Sequence, residues 1–139
     1  MIGEPYNNAE QNIKKIKGLV VDDEKAILIF LNRLLTGWGY EIETVNTAKE
    51  AIERIKTNDY DFILLDIKMP EINGMRLYHL IEEIKPSLVK RVLFATGDIL
   101  EKSTSAFLQA TDAPTLTKPI DTEQLKDSIN KVLARSVSE

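Results

Sequence analysis

From Lys17 onward the chain alternates short apolar runs with segments whose apolar residues recur every three or four positions. The runs are GLVV at 18–21, EIETV at 41–45, DFILL at 61–65, RVLFA at 91–95 and PTL at 114–116. Runs this short read as strands, and the spaced stripes between them read as amphipathic helices. Ile27, Leu31, Leu34 and Leu35 form the first stripe, closed by Gly37. Thr47 with Glu50 has capping-box spacing and opens a second helix with Ala48, Ala51, Ile52 and Ile55 facing inward. Leu77, Leu80, Ile81 and Ile84 mark a third helix, stopped by Pro86. ILEKSTSAFLQAT at 99–111 is a poorer fourth, because Ser103, Thr104 and Ser105 have middling helix propensity. Asp121 with Gln124 caps the last, whose inner face is Leu125, Ile129, Val132 and Leu133.

Strands alternating with helices in this way predict an α/β fold with a five-stranded parallel sheet and helices on both faces. Three of the runs are continuously apolar, as strands buried on both faces should be. EIETV alternates in polarity, and PTL begins with a proline that cannot donate to a ladder, so these two belong at the edges. The arrangement fits the doubly wound, flavodoxin-like order 2-1-3-4-5. At 139 residues the chain is one domain by length. Residues 1–16 read as a polar lead-in or linker, 17–136 as the folded domain and 137–139 as a tail.

That strand order says where chemistry belongs. Ligands of open α/β sheets bind beyond the carboxyl ends of the strands, where the order reverses, here between strands one and three. Strand one runs into Asp22 and Asp23, strand three into Asp66, strand four into Thr96, and strand five into Lys118 and Pro119. Three carboxylates thus converge on one rim beside a hydroxyl and an ammonium. Such carboxylates repel unless one takes up a proton or a cation sits among them. A hard divalent ion such as Mg²⁺, which shares itself between carboxylate and phosphate oxygens, suits the set. A carboxylate can also act as a covalent nucleophile, and Asp66, ending the most buried run, is best placed for phosphoryl transfer onto itself. Asp23 equally fits the N-cap of the first helix.

Composition narrows the remaining classes. There is no cysteine, which removes disulfides, thiolate metal sites and cysteine nucleophiles, and the single histidine, His79, removes a polyhistidine cluster. A net charge of −4 without a basic block speaks against a nucleic-acid binder. No stretch approaches the roughly 18 apolar residues of a membrane span, and the N-terminus lacks a signal peptide's apolar core. A cytoplasmic protein is expected.

VVDDE, LLDIKMPEINGM, FATGD and TKP, in this order, resemble the receiver domain of two-component response regulators over roughly residues 17–136. FATGDIL…APTLTKP is most similar to receivers attached to hybrid sensor kinases. The resemblance implies that Asp66 is the phosphoacceptor and that Asp23, Asp66 and the backbone carbonyl of Lys68 bind Mg²⁺, with Asp22 acting mainly through water. It implies that Thr96 and Lys118 hold phosphoryl oxygens, that the Lys118–Pro119 bond is cis, and that a histidine kinase or phosphotransfer protein supplies the phosphate. The signal would pass to a downstream protein, with no contact to nucleic acid or membrane. One residue departs from the family: Thr115 stands where an aromatic switch residue is usual. Two other classes compete, a receiver-fold interaction module without phosphate turnover and an aspartate-nucleophile phosphatase. The phosphatases resembling the second need an aspartate two residues after the nucleophile, where Lys68 stands.

Overall fold

The computed structural model describes residues 15–97 and 102–137. The lead-in and tail expected from the sequence therefore lie outside the described residues, apart from Lys15, Ile16 and Val137. Five strands, β1 (Lys17–Val21), β2 (Glu41–Val45), β3 (Phe62–Asp66), β4 (Val92–Thr96) and β5 (Thr115–Thr117), form one sheet in the order β2-β1-β3-β4-β5. Every pairing is parallel. The helices are α1 (Lys25–Gly37), α2 (Ala48–Thr57), α3 (Gly74–Ile84), α4 (Lys102–Ala110) and α5 (Thr122–Val137). The two strands with edge character in the sequence are the two edges. Asp66 and Thr96 are the last residues of β3 and β4, as the sequence predicts.

Strand alternation divides the core into two layers. Leu19, Val21, Ile63, Leu65 and Phe94 pack with Ala51 and Ile55 of α2, Leu77 and Ile81 of α3, and Phe107 and Leu108 of α4. Val20, Phe62, Leu64, Leu93 and Leu116 pack on the other face with Leu28, Leu31 and Leu35 of α1 and Leu125, Ile129 and Val132 of α5. All of β3 is buried, which explains its unbroken apolar run. Each such side chain withdrawn from water stabilises the fold by about 1.5–3 kcal/mol before chain entropy is subtracted.

Helix ends follow the sequence in part. Thr47 Oγ1 accepts the Glu50 amide (3.1 Å), and Asp121 Oδ1 accepts the Gln124 amide (3.0 Å), as their spacing predicts. Asp23 is not the cap of α1: that position is Glu24, which makes no side-chain capping bond. The first stripe is also shifted, with Leu28, Leu31 and Leu35 fully buried and Ile27 and Leu34 only half-buried. Asn73, unremarked in the pattern, caps α3 by accepting the Arg76 amide (3.0 Å). Pro86 stops α3 as expected, but it opens a 3-10 turn, Pro86–Arg91, which buries Leu88. Trp38 packs at the end of α1, edge-on to Tyr40 with a centroid separation of 6.5 Å. Gly39 follows it at φ 98°, a conformation glycine tolerates without strain.

The amino end of the sheet is held by a polar cluster. Glu43 accepts hydrogen bonds from the Tyr60 hydroxyl (2.5 Å) and Arg54 (2.9 Å), and Lys17 lies 3.3 Å from it. Burial alone would raise the Glu43 carboxyl, but these partners outweigh it and hold the group below its ordinary range. At the opposite end α3 is wedged against β3. A Cβ on Gly74 would stand 2.5 Å from the Asp66 backbone oxygen and 2.9 Å from the Ile67 Cα, so only glycine permits the approach. Gly74→Ala is accordingly expected to destabilise the protein by about 1–3 kcal/mol, read as a lower urea midpoint.

Candidate functional site

Parallel pairing in register sets the site. Val21 of β1 lies level with Leu65 of β3, so the next residues, Asp22 and Asp66, leave the sheet side by side. Ala95 is level with Asp66, and Thr96 with Thr117, which brings Thr96 and Lys118 to the same rim. All the candidate residues named from the sequence are therefore at the carboxyl end of the sheet, around the reversal of strand order. Asp22 and Asp66 are each 3% exposed and Thr96 is fully buried, whereas Asp23 and Lys68 are exposed.

One oxygen from each of Asp22, Asp23 and Asp66 can be chosen so that all lie within 4.8 Å of one another. Lys118 enters this group from β5. Its ammonium is 2.9 Å from Asp22 Oδ2, 3.4 Å from Asp66 Oδ2 and 3.7 Å from Glu24 Oε1. Backbone amides complete the shell: Glu24 donates to Asp22 Oδ1 (2.9 Å) and Lys68 donates to Asp66 Oδ1 (3.2 Å). The lysine is itself located by its backbone, whose N–H donates to the Thr96 carbonyl (2.8 Å), and the Lys118–Pro119 bond is cis. The loop after Asp66 is anchored where the Ile67 amide donates to Ala95 O (3.0 Å) and the Gly74 amide to Ile67 O (2.9 Å). It turns at Glu71, which holds a positive φ of 66° behind Pro70.

The electrostatics follow from burial. Loss of water raises the Asp66 carboxyl, the neighbouring Asp22 charge raises it further, and Lys118 and the Lys68 amide oppose them incompletely, leaving it pushed up to about 7. Lys118 shows the complementary balance: burial would lower its ammonium, but Asp22 and Asp66 hold it above its ordinary value. One half-buried ammonium thus faces two buried carboxylates with a third at the surface. The carboxylate set fits a hard divalent cation by donor type and spacing, since added positive charge relieves the strain on Asp66.

Several features of the site were not apparent in the sequence. Glu24 belongs to the acidic triplet at 22–24, but nothing local marks it as a neighbour of the distant Lys118. Thr115, the position without a ring, turns its hydroxyl to the Ala113 carbonyl (3.4 Å). Asp98, two residues after Thr96 and an acidic group that the Lys68 charge could pair with as an alternative to phosphoryl oxygens, lies outside the described residues. His79 is exposed on α3, 3.6 Å from Glu82, and takes no part in the rim.

Comparisons with known proteins agree with this architecture. A profile of the response regulator receiver domain matches residues 19–130. The transcriptional regulatory protein ZraR of Escherichia coli (strain K12) is 30% identical over 120 residues, spanning 86% of this chain and 27% of ZraR. The chain thus spans about a quarter of that relative's length. A CheY-like response regulator receiver domain protein from Methanospirillum hungatei JF-1 superposes with a TM-score of 0.81 at 28% identity, covering 90% of this chain and 98% of that one. The receiver domain of the sensor histidine kinase PA1611 from Pseudomonas aeruginosa PAO1, described with a magnesium ion in its active site cleft, has a TM-score of 0.76. It covers 87% of this chain and 99% of its own, and at 21% identity it speaks for the fold.

A raised acid makes a signed expectation. While Asp66 is protonated its burial costs little; as pH rises from its unfolded value of 3.8 to about 7, the folded state must hold a proton that the unfolded chain has released. Stability without divalent metal should therefore fall across that window, and Asp66→Asn should abolish the fall. The variant is expected to gain on the order of 2 kcal/mol over wild type by about pH 8 and little at about pH 4, read from urea midpoints in EDTA.

Proposed function

The chain belongs to the response regulator receiver domain family of two-component systems, and from that premise we propose that Asp66 is its phosphoacceptor. A phosphohistidine of a histidine kinase or phosphotransfer protein would supply the phosphoryl group. The observation that carries this reading is the meeting of three carboxylates within 4.8 Å around an ammonium 3.4 Å from Asp66. A carboxylate oxygen of Asp66 attacks phosphorus, the bond from phosphorus to the imidazole nitrogen breaks, and the leaving imidazole keeps the electron pair and takes up a proton. The product is an acyl phosphate.

Asp23, Asp66 and the Lys68 carbonyl would hold Mg²⁺, with Asp22 contributing mainly through water. When bound, the ion supplies positive charge that neutralises phosphoryl oxygens and lets the carboxylates ionise together. Lys118 stands ready beside Asp66 to pair with an arriving phosphoryl oxygen, and the Thr96 hydroxyl donates to another. Deprotonated Asp66 is the nucleophile, so cation binding that lowers its pKa also activates it. Acting on itself without turnover, the domain would be a switch for a downstream protein, not a turnover enzyme. Among the described residues no helix is long and apolar enough to cross a membrane. A cytoplasmic role on protein partners, without nucleic-acid contact by this domain, completes the reading.

Incubation with acetyl phosphate and Mg²⁺ should add one phosphate by intact mass, and Asp66→Ala or EDTA should abolish it. Persistent labelling of Asp66→Ala would overturn the assignment. Lys68 sets the lifetime of the product. Its amide is bound to Asp66, and from that position, two residues after the phosphoacceptor, its long side chain would be able to lean over the phosphoryl group, where a water must approach in line. With Lys118 already supplying charge, its steric effect should dominate. Lys68→Ala is expected to speed phosphate loss about tenfold, equivalent to about 1.4 kcal/mol of barrier. An equal or slower rate would remove this shielding role.

A further inference from the structure

The first turn of α4 carries a polar group with no outlet. Thr104 is fully buried, and its Oγ1 finds no hydrogen-bond partner among the described residues. A buried threonine ordinarily places its hydroxyl on a nearby carbonyl, and one left without a bond destabilises the conformation that buries it. The surroundings give the group a direction. Thr104 borders a cavity of about 330 Å³ whose other walls are Ile67, Lys68, Met69, Asn73 and Met75. Most of that wall is the loop leaving Asp66. The Met69 and Met75 side chains are flexible and the cavity leaves them room, so this boundary can rearrange at low cost.

The same loop is attached to the reacting carboxylate. The Lys68 amide donates to Asp66 Oδ1, the oxygen set whose charge and substitution change when a phosphoryl group arrives. On its other side α4 is held by Phe107, edge-on to Phe94 (5.3 Å between centroids) and Tyr78 (5.5 Å). The helix is therefore anchored at its middle by apolar contacts and under-satisfied at its start. β5 offers no competing route, because Thr115 carries no ring and its hydroxyl is turned to Ala113. A conformer that satisfies Thr104 needs only a modest bias to become populated.

We propose that Thr104 is a positioning residue that couples α4 to Asp66. Its hydroxyl, orphaned in the unphosphorylated chain, takes a hydrogen bond from or to the backbone of residues 67–69 once Asp66 is phosphorylated, drawing the first turn of α4 toward that loop. The proposal rests on Asp66 as phosphoacceptor and goes beyond it in naming the residue through which the helix responds.

Thr104→Val keeps the shape and removes the hydroxyl, and Thr104→Ser keeps the hydroxyl. In the unphosphorylated protein Thr104→Val should raise the folding equilibrium constant, by about tenfold in urea titrations. It should still accept one phosphate from acetyl phosphate. The change in hydrogen exchange over residues 102–110 on adding beryllofluoride and Mg²⁺ should fall at least about twofold, with Thr104→Ser restoring the wild-type response. A lower urea midpoint for Thr104→Val would show that the hydroxyl is already bonded, and an unchanged exchange response would show that it transmits nothing. Either result overturns the proposal. Loss of phosphate incorporation in the wild type would instead overturn the assignment of Asp66, and the mass measurement reads that separately.

Discussion

Two buried carboxylates share one half-buried ammonium, and the rest of the molecule is arranged around that imbalance. Asp22 and Asp66 stand next to each other because β1 and β3 are parallel neighbours whose ladder is in register to their last residues. No side-chain choice can separate them without disturbing the centre of the sheet. Lys118 neutralises one charge and leaves Asp66 partly uncompensated, with its acidity shifted toward neutrality. A site in that condition attracts cations and is sensitive to any group that attaches to the carboxylate.

The scaffold tolerates this strain because the opposite end is tightly satisfied. Glu43 gathers Tyr60, Arg54 and Lys17 at the amino end of the sheet, and burial together with the Glu43 charge holds the Tyr60 phenol above its ordinary value, so it remains a hydrogen-bond donor. Between the two ends lie apolar layers on both faces of a fully buried β3. Rigid strands with polar residues at their carboxyl ends and irregular loops beyond are a good arrangement for a switch. Movement is cheap at the loops and costly in the ladder.

Aromatic packing on the α3–α4 side has a distribution that bears on signalling. Phe94, two residues before Thr96 on the same strand face, meets Tyr78 and Phe107 at centroid separations of 5.5 and 5.3 Å. His79 adds an outer contact to Phe107 at 5.7 Å. The rings that could transmit a displacement of β4 are therefore on helices, while β5 presents only Thr115. Rings in edge-on contact are worth about 0.5–1.5 kcal/mol beyond their buried area, enough to keep α4 docked while its first turn shifts.

Local chemistry determined the elements of this protein. Apolar runs located all five strands to within a residue, and the polarity of EIETV and the proline of PTL marked β2 and β5 as edges. Thr47 and Asp121 announced their helices, because a cap and the amide it accepts are three residues apart. Strand order then sufficed to collect Asp22, Asp23, Asp66, Thr96 and Lys118 on one rim. What the sequence could not determine depends on contacts between distant residues. Leu88 is buried because the 3-10 turn packs into the core layer of α2 and α3, although the turn PSLVKR has no periodic apolar stripe to announce it. Thr104 looked like a polar residue on a weak helix and proved to be fully buried. Lys118 reaches Asp22 across 96 residues of chain and stands closer to it (2.9 Å) than to Asp66 (3.4 Å). Periodicity and capping act over a single turn or strand, so they are written locally; charge balance at the rim depends on the register of three strands at once, which only the assembled sheet specifies.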